Sequence, residues 1–117
     1  MVGNLDEPFS AALLRLNDAT GIKDAEVYRR ANIDRRLFSK ITGNKNYMPS
    51  KPTVLAFAIA LQLSLEQTSE LLERAGFTLS RSRKIDVIVK YFIANRKYDI
   101  FEINEVLFSY DQPVLGG

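Results

Sequence analysis

Hydrophobic residues recur along this chain with the spacing of amphipathic helices, in short segments that turn residues separate. Phe9, Leu13 and Leu16 fall on one helical face, for example, and Gly21 ends their segment. The same spacing returns six more times, and no stretch alternates between apolar and polar residues as a strand does. The sequence therefore predicts an all-α fold of seven helices, at residues 9–19, 23–31, 35–42, 51–61, 65–75, a sixth after residues 80–82, and 100–110.

Polar residues that cap helices stand in front of most of these segments. Each offers a side-chain oxygen to the free amides of the first turn, and two begin a capping box, with Gln67 and with Glu102. Asn32 tolerates a left-handed backbone, which predicts a tight turn between the second and third helices. Pro113 and the terminal Gly116 and Gly117 are expected to fray. The predicted N-caps are Asp34, Ser50, Ser64, Asp99 and either Ser80 or Ser82.

The seventh predicted helix is apolar on two sides. Ile103 and Leu107 belong to one stripe, while Phe101 and Phe108 form a second. A helix with two apolar stripes needs two surfaces to pack against. Phe101 and Phe108 therefore predict either a homodimer contact or a core contact over the first and fifth helices, and the sequence leaves both readings open.

Composition narrows the classes of function. The 117 residues suit one domain, and there is neither cysteine nor histidine, which removes thiol chemistry and the commonest general base and metal ligand. No glycine-rich phosphate loop or nucleophile motif occurs, so we expect no enzyme, cofactor or metal site. No apolar run reaches the roughly 20 residues that span a bilayer, and a cytoplasmic location is expected.

The charge is unevenly distributed although the chain carries only +2 overall. Two segments are basic, residues 22–52 with a net +5 and residues 81–97 with a net +5. Acidic stretches surround them, and residues 98–117 have four acids and no base. Such positive segments on a nearly neutral body are typical of proteins that bind phosphate backbones, although solvated helix faces also produce them.

The third predicted helix combines a buried and a basic side. Its apolar residues fall on one face, whereas Arg35, Arg36, Ser39, Lys40 and Thr42 fall on the other. Arginine can bond guanine O6 and N7 in a fork, serine can bond several base edges, and lysine meets phosphate. These side chains suit a helix that enters the major groove of DNA, but taken alone the pattern favours an amphipathic surface helix with a basic exterior.

Residues 9–76 resemble the lambda-repressor-like, or XRE-type, helix-turn-helix family. The resemblance is carried by residues 30–41 (RANIDRRLFSKI), which are similar to that family's turn and recognition helix. Residues 49–61 (PSKPTVLAFAIAL) are similar to its fourth helix. The resemblance implies a five-helix helix-turn-helix domain over residues 1–76. Two additional C-terminal helices over residues 77–117 would extend the same domain.

The resemblance also implies a function and residue roles. It implies a bacterial or phage repressor-type regulator that binds specific double-stranded DNA, with the third helix in the major groove, and that works as a homodimer. Arg35, Arg36 and Ser39 would contact bases. The residues implied near phosphates are Lys23, Lys40, Lys45, Asn46 and Lys51.

Tyr28 departs from the family pattern, because a small alanine usually stands there between the second and third helices. Its ring must either alter the crossing of the two helices or point outward. Asn32 replaces the usual glycine of the turn, and Thr42 replaces a commonly acidic residue.

A second hypothesis gives the same fold a protein partner. In that reading the chain is an antitoxin, an anti-repressor or an inhibitor of a defence nuclease, because a fold does not dictate its function. The acidic, aromatic residues 99–111 would then form the surface that binds the protein partner, and they would mimic nucleic acid.

Overall fold

The computed structural model describes residues 7–116 and confirms the all-helical prediction. Seven helices and no strand occur in this part of the chain. Each predicted helix is present, and for the six helices whose two ends were predicted no end differs by more than one residue. The helices are α1 (Phe9–Thr20), α2 (Asp24–Arg30), α3 (Arg35–Gly43), α4 (Lys51–Ala60), α5 (Leu65–Arg74), α6 (Lys84–Ala94) and α7 (Ile100–Ser109).

Most helix ends follow the local signals of the sequence. The side chains of Asp34, Ser50, Ser64 and Asp99 each accept a bond from a first-turn amide, as predicted. Ser64 and Gln67 form the full capping box, since each side chain bonds the other's backbone. Asp99 makes only one half of its predicted capping box, in which its carboxylate accepts from the amides of Phe101 and Glu102.

The prediction that Ser80 or Ser82 caps α6 is wrong. Arg83 is the N-cap residue, and its side chain makes no capping bond. The hydroxyls of Ser80 and Ser82 lie 3.0 Å from each other instead. The backbone amide of Ser80 donates to the carboxylate of Asp86, which holds the segment before α6 in place.

Helix α4 forms the centre of the core. Every residue from 53 to 61 is buried, because the helix is apolar nearly all round and neighbours cover it on several sides. It packs against α2, α5 and α7, while α1 packs against α3 and α5. The buried side chains of all seven helices belong to one hydrophobic cluster, so α6 and α7 share the core of the preceding helices.

The C-terminal segment packs against the fold at Leu115 and Gly116, so the prediction that Gly116 frays is wrong. Leu115 is 1% exposed, and its backbone amide and carbonyl both bond the side-chain amide of Asn104, at 2.7 and 3.1 Å. Gly116 approaches the turn between α2 and α3 so closely that an added Cβ would lie 2.6 Å from the carbonyl oxygen of Asn32. Gly117 lies outside the described residues.

A network of four charged side chains joins the segment before α1 to α1 and α5. Glu7 bonds Arg15 at 3.0 Å and Arg74 at 3.2 Å, and Arg15 also bonds Glu70 at 2.8 Å. The hydrogen bond from Arg15, with a further one from Arg74, holds the pKa of Glu7 below its ordinary value of 4.5, although burial opposes this. The ionised form of Glu7 therefore stabilises the folded state.

Replacement of Glu7 by glutamine is expected to lower the free energy of unfolding by about 1 kcal/mol or less at pH 7, because the network is partly exposed. The contribution of a group with a lowered folded pKa is present above its unfolded pKa and is lost as pH falls through the folded one. Urea unfolding at pH 7, 5 and 3 should show the difference between wild type and Glu7→Gln shrinking only below about pH 5. A constant difference would contradict this account.

Candidate nucleic-acid interface

Helix α3 has one buried and one exposed face. Phe38 and Ile41 are buried, and Leu37 is half-buried. At about 100° per residue the exposed positions cover roughly 140° of the helix surface. This face, which we call the α3 face, consists of Arg35, Arg36, Ser39, Lys40 and Gly43.

Asp34 fixes where α3 begins and so which side chains its first turn presents. Its carboxylate accepts a bond of 2.7 Å from the amide of Arg36. Together with Arg35, Arg36 and Ser39 it lines one shallow depression at the surface. The three side chains predicted to contact bases are therefore brought together at the N-terminal end of the helix.

The guanidinium groups of Arg35 and Arg36 are free to bind an external partner. Both residues are exposed, and within residues 7–116 neither forms an ion pair. Arg29 and Arg30 of α2 differ in this respect, because both bind Glu26. The hydrogen bond from Arg29, followed by that from Arg30, lowers the pKa of Glu26, so its negative charge offsets part of theirs.

The turn between α2 and α3 has the predicted tight geometry. Asn32 has a φ of 56°, in the left-handed region, and the backbone amide of Ile33 bonds the carbonyl of Tyr28 at 2.9 Å. Tyr28 does not point outward: its half-buried ring packs against Phe38, with 5.4 Å between the ring centroids. An aromatic contact therefore holds α2 against α3, at the position where a small alanine is usual in the family that residues 9–76 resemble.

Of the residues predicted to contact phosphates, four are exposed, and three of these lie on the α3 face or in the loop that follows it. Lys40 lies on it, with its ammonium 5.9 Å from the centroid of the Tyr47 ring. Lys45 and Asn46 are exposed in the loop after α3. In this loop the side-chain oxygen of Asn44 accepts a hydrogen bond from the backbone amide of Asn46. Lys23 is exposed at the residue that precedes α2.

Lys51 is placed differently from the other predicted phosphate contacts. Its ammonium lies 2.8 Å from both carboxylate oxygens of Asp86, which is fully buried. The side chain of Lys51 is itself only 17% exposed. Lys51 therefore serves an internal ion pair between α4 and α6, and we leave it out of the candidate interface.

Two residues of α3 lie in positions that the sequence did not predict. Thr42 is half-buried, and its hydroxyl donates to the carbonyl of Phe38 at 3.0 Å, so it is not part of the exposed face. Gly43, which sequence reasoning assigned to the following loop, is the last residue of the helix and lies on that face. Continuing the helical wheel by one residue from Thr42 would have found it. A Cβ at Gly43 would meet nothing within 4 Å.

Phe101 and Phe108 do not complete the core. They are 71% and 76% exposed, and they point away from the buried residues of α7, which include Ile103 and Leu107. Of the two readings of these rings, the core contact over α1 and α5 is wrong. The reading as a contact with another molecule stays open.

Comparison of the chain with protein-family models, with curated proteins and with solved structures finds no match. Among residues 7–116, no helix combines the length and apolar character needed to cross a membrane. The same residues contain no cluster of three or more acidic side chains arranged to hold a metal ion.

Proposed function

We propose that this protein binds specific sequences of double-stranded DNA and acts as a repressor-type regulator of transcription. In this proposal α1–α5 are a lambda-repressor-like helix-turn-helix domain, with α2 lying across the backbone and α3 in the major groove. The observation that carries the proposal is the α3 face, where a serine shares one depression with two arginines that form no ion pair within residues 7–116.

The dimensions of α3 suit this role. An α-helix with its side chains is about 10–12 Å across, and the major groove of B-form DNA is about 12 Å wide. Arg35 and Ser39 are one helical turn apart, so both can reach base edges from the same side of the helix. Gly43 leaves the C-terminal end of that side without a side chain, which allows close approach of a nucleic-acid backbone.

The cations near α3 would supply the contacts to phosphates. Lys40 and Lys45 follow the arginines along the chain, and Lys23 precedes α2. Each phosphate that a cation neutralises releases condensed counterions, which makes DNA binding weaker as salt rises. This term adds affinity for any duplex, while the arginines supply the preference for a sequence.

Binding to mixed-sequence duplex DNA tests the proposal at its most general level. Affinity is expected to fall as salt is raised, and Lys40→Ala and Lys45→Ala are each expected to reduce the slope of log K against log salt by about 1. Fluorescence anisotropy at several salt concentrations measures this slope. Absence of binding at low salt would contradict the proposal and favour the protein-binding alternative.

The matched control removes two exposed cations from the segment that follows α6. Arg96 and Lys97 are exposed, and α6 packs mainly on α5 and α7. The variant Arg96→Ala with Lys97→Ala should keep the wild-type salt slope. An equal reduction in this control would show that the positive charge acts without regard to position, against a specific α3 interface.

A further inference from the structure

Exposed apolar side chains are concentrated on α6, α7 and the segment after them. Of seven large hydrophobic residues that are exposed within residues 7–116, only Met48 lies elsewhere. At about 200 Å² for each ring, the four aromatic ones together expose on the order of 500 Å². The six residues are Val87, Tyr91, Phe101, Phe108, Tyr110 and Val114.

Two distinct surfaces account for most of these side chains. The first, which we call the outer stripe, is formed by Phe101, Glu105 and Phe108 on the side of α7 that faces away from the core. Glu102 stands beside it, also exposed. The outer stripe is therefore aromatic and negatively charged.

The second surface is a groove of about 470 Å³ between α6 and α7. Its walls are mainly apolar, and none of the acidic residues in the described part of the chain lines it. Lys84 stands at its edge, next to the exposed Arg83 and Arg81. We call it the α6–α7 groove, and its lining residues are Ser82, Lys84, Val87, Ile88, Tyr91, Phe92, Val106 and Tyr110.

One molecule cannot place its own outer stripe in its own groove. Val106 and Tyr110, which line the groove, lie about 140–180° around α7 from Phe101. The charges near the two surfaces are also without partners: within residues 7–116, no cation of residues 81–97 and no acid of residues 99–111 forms an ion pair.

We propose that the α6–α7 groove binds the outer stripe of a second copy of this chain. Phe101 and Phe108, seven residues apart on one helix face, have the spacing with which an amphipathic helix anchors in a groove. Glu102 and Glu105 would meet the basic edge formed by Lys84 and Arg83. Packing two outer stripes against each other would instead bring like charges together.

This contact is head-to-tail, because the stripe and the groove lie on opposite sides of α7, so two copies cannot exchange both contacts at once. Such contacts form open chains or closed rings. Sedimentation velocity on the wild-type protein between about 10 µM and 1 mM should therefore show assembly that continues beyond two chains. Raising the salt concentration should weaken it. A wild-type protein that stays monomeric over this range would overturn the proposal.

Two variants break the contact from opposite sides. Phe101→Asp with Phe108→Asp removes the stripe, and Val87→Asp with Tyr91→Asp removes the groove. All four side chains are at least 49% exposed, so circular dichroism should show both variants folded. Each variant alone is expected to associate at least tenfold more weakly than wild type, whereas Met48→Asp, at an exposed residue outside both surfaces, should associate normally.

An equimolar mixture of the two variants gives the decisive result. The stripe variant retains a groove and the groove variant retains a stripe, so the mixture should form a two-chain species and nothing larger. Self-association of the groove variant alone would indicate a stripe-to-stripe contact and overturn the proposal. A mixture that stays monomeric would overturn it as well.

Discussion

Replacement of Lys51 by methionine is expected to destabilise the folded protein by about 3–5 kcal/mol, the usual cost of leaving a buried charge without its partner. The carboxylate of Asp86 is fully buried, and Lys51 is the cation that neutralises it, 2.8 Å away. After the change, the amide of Ser80 is the one group of residues 7–116 that would still bond this carboxylate. Urea unfolding at about 15 °C, near the usual temperature of maximum stability, measures the loss.

The partner substitution is expected to cost less, because the two ends of the ion pair differ in exposure. In Asp86→Asn the amide oxygen can still accept from Ser80. The ammonium of Lys51, whose side chain is 17% exposed, can turn toward water. We expect a loss of about 1–3 kcal/mol, the cost of removing one partner of a buried hydrogen bond.

A double variant and a surface control separate the ion pair from general effects of removing charge. Lys51→Met with Asp86→Leu replaces both charges by apolar groups and should be more stable than Lys51→Met alone. Lys45→Met, at an exposed lysine, should change stability by no more than about 0.5 kcal/mol. If Lys51→Met were as mild as Lys45→Met, the pair would not be what holds α6 to the start of α4.

This ion pair illustrates what the sequence could not predict. The seven helices follow from local signals, since hydrophobic spacing and capping residues act over a few positions, as at Asp34 and Ser64. Lys51 and Asp86 are 35 residues apart, and nothing in the local pattern links them. From its charge, and from the resemblance of residues 9–76 to a helix-turn-helix family, Lys51 was predicted to contact phosphate. In the fold its side chain instead packs inward against Asp86.

The same reasoning explains the outcomes at the C-terminal end. Residues 113–116 carry the composition of a loose terminus, and their order depends on bonds from Asn104 and on a close approach to Asn32. The second apolar stripe of α7 was recognised in the sequence, but periodicity cannot say whether another helix covers it. By contrast, the exposure of Arg35, Arg36 and Ser39 was predictable, because Phe38 and Ile41 leave only one side of α3 for the core.

Removal of either arginine from the α3 face is expected to have the largest effect on DNA binding. A selection of bound oligonucleotides from a random pool first supplies the target, together with any symmetry and spacing of half-sites. Arg35→Ala and Arg36→Ala should then each lose about 1–3 kcal/mol of affinity for that target. Because both side chains are exposed and unpaired within residues 7–116, unfolding in urea should be nearly unchanged.

Lysine at the same positions distinguishes contacts to bases from contacts to phosphates. Arg35→Lys keeps the charge but loses the planar fork that bonds guanine at two points. If Arg35 reads a base, the lysine variant should keep the wild-type salt slope on mixed-sequence DNA and still lose preference for the selected target. If the lysine variant retained the full preference, Arg35 would act as a point charge on the phosphate backbone, and the sequence preference would have to come from Arg36 and Ser39.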